Sequence, residues 1–251
     1  MNSVDINCDM GESYGNYTIG NDEAIFPHIT SCNIACGMHA GDPYQIERTI
    51  DLAIQHQVQI GAHPGYPDLQ GFGRRVLPME SAELSSYIKY QVSALMGLVA
   101  SKGVSMTYVK PHGALYNEMA RNEAVARIVV KAIKAINPDL KVMGLAGSLV
   151  KDIAEGEDMI FIAEAFADRQ YEANGQLRSR QLEHAVIGDA EKAASQVLSI
   201  SQSGKTLSLD GSEVPVTAQS FCIHGDNPAA ISILNTITEK LSASGITKKH
   251  F

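Results

Sequence analysis

Short apolar runs bounded by Gly, Pro or Asp alternate along the chain with longer segments whose apolar residues recur at spacings of three and four. The runs at 4–9, 31–36, 59–63, 107–110, 141–145, 159–166 and 220–224 read as buried strands. The segments at 43–57, 81–102, 114–137, 148–155, 189–203 and 228–244 read as amphipathic helices. Strict strand–helix alternation without a Gly/Pro/Ser-rich linker predicts an α/β fold: one seven-stranded parallel (β/α) barrel, TIM-like, spanning residues 1–251 as a single domain. A doubly wound open sheet is the alternative, but no Gly-x-Gly-x-x-Gly follows the first strand. Residues 206–216, centred on Asp210-Gly211, are expected to form an inserted β-hairpin whose turn wants two residues of positive φ.

Composition narrows the picture. Of 251 residues 45% are hydrophobic and 19% charged, which excludes a disordered chain and supplies a large core. A net charge of −8 repels phosphate backbones and anionic lipid, so no nucleic-acid or membrane partner is expected. No apolar run reaches the length of a membrane span. The opening segment has neither the basic flank nor the apolar run of an export signal, so a cytoplasmic location is expected. Cys8, Cys32, Cys36 and Cys222 lie in apolar stretches and read as reduced, buried thiols.

In a barrel of this kind the chemistry sits at the C-terminal ends of the strands. Those ends carry Asp9 and Glu12, then Asn33, Cys36 and His39, then His63, then Lys110 and His112, then Glu164, Asp168 and Arg169, then His224 and Asp226. Only strand five, ending 144–148, lacks a titratable tip. One such histidine alone is adequately explained as a hydrogen-bonded structural imidazole; His39, His63, His112 and His224 together point to a site. Asp42 and Asn227 each precede a Pro and read as helix N-caps. Lys110, deep in an apolar strand, needs a carboxylate partner. Asp9 with His39 and His63 could hold a water-activating divalent metal. Ser203-Gly204-Lys205-Thr206 imitates the tail of a phosphate loop, but the loop's first Gly is Ser199 and a helix, not a strand, precedes it.

One set of segments is distinctive: Asp5-Ile6-Asn7-Cys8-Asp9-Met10-Gly11-Glu12, Asn33 to Pro43 around Cys36-Gly37-Met38-His39, Gly61-Ala62-His63-Pro64-Gly65-Tyr66-Pro67-Asp68, Gly71-Phe72-Gly73-Arg74-Arg75, Val109-Lys110-Pro111-His112-Gly113, Glu164 to Arg169, and His224-Gly225-Asp226. Together they resemble the LamB/YcsF family over nearly the whole chain. The resemblance implies a barrel of the glycoside hydrolase/deacetylase type that acts as the A subunit, with B and C partners, in the ATP-dependent opening of 5-oxo-L-proline to L-glutamate. ATP, with Mg2+, is then expected at a site shared with those partners. In this reading Asp9 is the general base towards water, and His63 or His112 shares the proton transfer. Lys110, Arg74 and Arg75 stabilise a carboxylate or phosphoryl group, and His224 and Asp226 close the far side. Glu12, Asn33, His39, Asp168 and Arg169 complete the substrate-binding set. The rivals are a stand-alone metal-dependent amide or carbohydrate deacetylase and a non-catalytic binder of a small acid.

Overall fold

The structure, a computed structural model, describes residues 2–251. Seven parallel strands close into a barrel: β1 (Ser3–Met10), β2 (Ser31–Ala35), β3 (Gln59–His63), β4 (Met106–Val109), β5 (Lys141–Leu145), β6 (Phe161–Phe166) and, after an excursion, β9 (Ser220–His224). Closure is made by β9, which pairs with β6 through Ser220–Cys222 and with β1 along Asp5–Asp9. The excursion is the hairpin β7 (Lys205–Leu207) and β8 (Glu213–Pro215), an antiparallel pair outside the barrel. Its loop spans five residues rather than two, and Gly211 alone has a positive φ, because Asp210 accepts from Ser208 Oγ and Ser212 N instead of turning left-handed.

Around the barrel run α1 (Asp22–Ile25), α2 (Pro43–Gln55), α3 (Ser81–Ser101), α4 (Gly113–Met119), α5 (Glu123–Ile136), α6 (Val150–Gly156), α7 (Ala190–Ser203) and α8 (Ala230–Ala243). The segment 114–137, expected as one helix, is two. The first ends at Met119, and Asn122 starts α5 by accepting from the amides of Ala124 and Val125. Asp42 caps α2 as expected, but α8 begins two residues after Pro228. Asn227 spends its side-chain amide on Asp168 while its Oδ1 accepts from Ala229. Gly204 of the false phosphate loop is the left-handed C-cap of α7. Two short elements carry no signal in the apolar pattern: α1, and β10 (Thr247–Lys248), which pairs with Ser3 and Val4. Among the described residues no helix is long and apolar enough to cross a membrane.

Each of the seven barrel strands alternates between two faces, both largely buried. Val4, Ile6, Cys8 and Met10 of β1 join the core shared with the helices, whereas Asp5, Asn7 and Asp9 point into the barrel. The interior is therefore partly polar. Asn7 donates to Glu164 and Ser220 and accepts from Asn33, and Asp5 accepts from Thr30, Ser31 and Ser220. The apolar remainder forms two small clusters, Tyr108 with Met143 and Ile162, and Leu145 with Phe166, Cys222 and Tyr116. Gly61 makes room for the Tyr108 ring, since a Cβ there would lie 2.3 Å from ring carbons.

Candidate functional site

A cavity of about 740 Å³ opens over the C-terminal ends of the strands. At its base Asp9 is clamped from three sides. Oδ1 accepts from Lys110 Nζ at 2.9 Å and Asn33 Nδ2 at 2.8 Å, and Oδ2 lies 3.3 Å from His63 Nε2. Burial alone would raise the Asp9 carboxyl, but the charges of His63 and Lys110 outweigh it and hold the group well below the usual carboxylate range. Lys110 also reaches Glu164 Oε1 at 2.8 Å and Cys222 Sγ at 3.1 Å. Its ammonium loses to burial and gains more from Asp9, Cys222 and Glu164, so it stays charged.

Three histidines stand beside Asp9, all buried. His63 Nδ1 donates to the Lys110 carbonyl at 2.6 Å, and His112 Nε2 donates to the Phe72 carbonyl at 2.8 Å. A carbonyl only accepts, so each ring's outer proton is committed. The inner nitrogens, His63 Nε2 and His112 Nδ1, meet at 3.0 Å. The Phe72 carbonyl is presented by a left-handed bend, φ +55 at Phe72 and +60 at Gly73, and a Cβ on Gly73 would press on both His39 and His112. His39 stacks on His112 with centroids 3.8 Å apart. Burial, followed by the neighbouring rings, pushes His39 and His112 well below the ordinary imidazole range. Burial and the charge of Asp9 push Glu12 well above the carboxylate range.

Across the mouth His224 Nδ1 donates to Asp168 Oδ1 at 2.8 Å, and its ring stacks on Phe166. Burial would raise Asp168; His224 and Asn227 bring it below its ordinary value.

Of the residues expected at the site, Asp9, His63, Lys110, His112, Arg74, Arg169 and His224 line the cavity. Asn33 lies behind Asp9, its Oδ1 accepting from Tyr108, Glu12 and His39 lie behind His63 and His112, and Asp168 lies behind His224. Asp226 anchors Arg74 at 2.7 Å. Arg75 does not belong. It turns to Asp68, which Gly71 N also caps, and its side chain is 60% exposed outside the cavity. The metal set needs correction too. The donors within 4.8 Å of one another are Glu12, His39, His63 and His112; Asp9 falls instead with Cys222 and His224. Among the described residues Glu12 Oε1 and both nitrogens of His39 have no hydrogen-bond partner. The stacked rings of His39 and His112 lie 6° from parallel, so their in-plane lone pairs cannot meet at one ion, and the set offers three ligands as arranged.

Sequence reasoning passes over Asn7 and gives Glu164 no role at the site, although each carries a signal. Asn7 lies two positions before Asp9 on the same strand face, and Glu164 is the one charge within an apolar strand.

The family model described as LamB/YcsF family matches residues 4–251. A protein of Syntrophobacter fumaroxidans, named as the A subunit of 5-oxoprolinase, is 48% identical over 243 residues, 97% of this chain and 96% of that one. The crystal structure of a lactam utilization protein from Thermus thermophilus superposes with a TM-score of 0.93 at 39% identity, over 99% of this chain and 100% of the other. A family 4 carbohydrate esterase from Streptomyces lividans shares the fold at a TM-score of 0.51 and 10% identity, covering 97% and 90%.

Proposed function

The chain belongs to the LamB/YcsF family, and from that premise we propose that it is the A subunit of an ATP-dependent 5-oxoprolinase, a hydrolase that opens 5-oxo-L-proline to L-glutamate in the cytoplasm together with B and C subunits. The relatives' names support the substrate. The observation that carries the chemistry is the clamp on Asp9, a carboxylate held between Lys110 and His63 at the floor of the cavity.

A five-membered lactam is a resonance-stabilised amide with a poor leaving group. Phosphorylating its carbonyl oxygen at the expense of ATP makes the carbon open to water. ATP with Mg2+ is assigned to a site shared with the partner subunits, since this chain has no phosphate loop of its own. In the barrel, water adds to that carbon and gives a proton to Asp9, His63 gives a proton to the ring nitrogen as the C–N bond breaks, and the γ-glutamyl phosphate so formed loses inorganic phosphate to a second water to leave L-glutamate. The two transfers assist each other. Asp9 is a weak base while His63 is charged, and its proton affinity rises as His63 hands its proton away. Lys110 stabilises negative charge on the oxygens of the adduct.

The test is glutamate release from 5-oxoproline and ATP in an extract of cells lacking this chain, with wild-type protein or Asp9→Asn added back. Restoration by wild type alone supports the assignment; restoration by both removes Asp9 from the chemistry, and by neither, with the partners present, removes the activity.

One observation favours a second reading, the metal-dependent deacetylase: the buried Glu12 Oε1 and His39 nitrogens, without a hydrogen bond among the described residues, beside His63 and His112. Glu12, His63 and one of the stacked rings would hold the ion, which when bound supplies an activated water. Stoichiometric metal in purified protein, lost in Glu12→Gln, together with ATP-independent deacetylation, would establish that reading.

A further inference from the structure

A chain of net charge −8 lines its main cavity with six cations, Arg74, Lys110, Arg121, Arg169, Arg178 and Arg180, and one carboxylate, Asp9. Four of the six are neutralised where they stand: Lys110 by Asp9 and Glu164, Arg74 by Asp226, Arg121 by Glu118 and Arg178 by Glu172. Arg169 and Arg180 are not. Arg169 is 5% exposed and donates to two neutral acceptors, the carbonyls of Ala185 and Arg178, which leaves three of its N–H groups free. Arg180, half-buried and lining the same cavity, makes no hydrogen bond or ion pair among the described residues. The two guanidinium groups repel each other. Burial, then the charge of Arg180, brings Arg169 down to about 10.

A purely structural role explains part of this. The carbonyl bonds of Arg169 pin the loop that follows β6, and a neutral donor could do the same. It does not explain a second unpaired arginine beside the first, with no ion pair to a carboxylate at either among the described residues. A monoanionic carboxylate would answer one guanidinium; a dianion with three acceptor oxygens answers both.

We propose that Arg169 and Arg180 form a subsite for a phosphoryl dianion carried into the mouth on a small molecule. The subsite deepens the proposed function and rests on it for the identity of that molecule, which is either the nucleotide itself or a lactam phosphorylated by it. Arg169 supplies the desolvated, fixed half of the subsite. Arg180, on the loop after β6, supplies the half that adjusts.

The experiment is calorimetric titration of the purified full chain with inorganic phosphate, ADP, ATP and acetyl phosphate, in wild type, Arg180→Ala, Arg169→Gln and Arg121→Ala. Inorganic phosphate should bind one to one. Arg180→Ala and Arg169→Gln should each weaken it at least tenfold, while Arg121→Ala, a paired arginine lining the same cavity, changes it less than twofold. ATP binding tenfold tighter than phosphate, and lost in Arg180→Ala, identifies the nucleotide as the carrier; acetyl phosphate matching or exceeding ATP identifies a phosphorylated small molecule. Wild-type protein that binds no phosphate, or an Arg180→Ala variant of unchanged melting temperature and affinity, overturns the subsite. Because no turnover is involved, phosphate binding without glutamate release in the extract assay overturns the function and leaves the subsite standing. Release together with arginine-independent phosphate binding does the reverse.

Discussion

His63 Nε2 and His112 Nδ1 face each other at 3.0 Å, although both rings have already given their outer protons to backbone carbonyls. Two neutral rings would therefore oppose two lone pairs. The contact requires a third proton. The Asp9 carboxylate, 3.3 Å from His63 Nε2, is the charge placed to hold that proton in the contact.

Nitrogen-15 spectra of the histidines should accordingly show one doubly protonated ring in the wild type at pH 7. Asp9→Asn should abolish that signal and lower glutamate release by at least about a hundredfold, the scale of a lost acid–base group. A doubly protonated ring that survives Asp9→Asn would show that Asp9 does not hold the proton.

Among the described residues Lys110 is the only cation that pairs with both Asp9 and Glu164. Lys110→Met leaves two buried carboxylates facing each other and should cost about 3–5 kcal/mol by denaturant unfolding. In the Lys110→Met, Glu164→Gln double variant, part of that loss should return without activity. A loss equal to that of an exposed lysine would mean that water already reaches the pair.

Gly61→Ala places a methyl group 2.3 Å from the Tyr108 ring. Overpacking of that kind should destabilise by about 1–3 kcal/mol. Tyr108→Leu on the same background should recover part of it. The readout is the urea midpoint at constant m-value.

Asp168 has a carboxyl held below its unfolded value, so its contribution is present above about pH 4, the ordinary Asp range, and fades as pH falls through the lower folded value. Asp168→Asn should thus cost about 1–3 kcal/mol from pH 5 to 8, and wild type and variant should converge in acid. A deficit that persists at pH 2 would assign the loss to packing rather than charge.

The alternation Asp5-Ile6-Asn7-Cys8-Asp9 announces a strand buried on two unlike faces, and a general rule about barrels then singles out its C-terminal tip. That much of the fold and site is readable because it is local or universal. Which tips touch is neither. Arg74 and Arg75 are neighbours, yet one turns in to Asp226 and the other out to Asp68. Asp9 and Glu12 are three residues apart, yet with the left-handed Gly11 between them one meets His63 and Lys110 and is held below the usual carboxylate range, while the other meets His39 and His112 and is pushed above it. The split of 114–137 into two helices is legible in Asn122, whose side chain competes with the helix for amides. Helical periodicity simply runs across it.

The polar interior joined at Asn7 has an evolutionary consequence. Asn7 meets Asn33, Glu164 and Ser220 on three other strands, and Lys110 just past the end of a fourth. A change at any one of them strands donors or acceptors on the rest, so tolerated substitutions must come in compensating sets rather than singly. Descendants of this barrel should therefore drift freely in their loops while the interior stays frozen or jumps as a block. Directed evolution towards a new lactam has its accessible path through the rim.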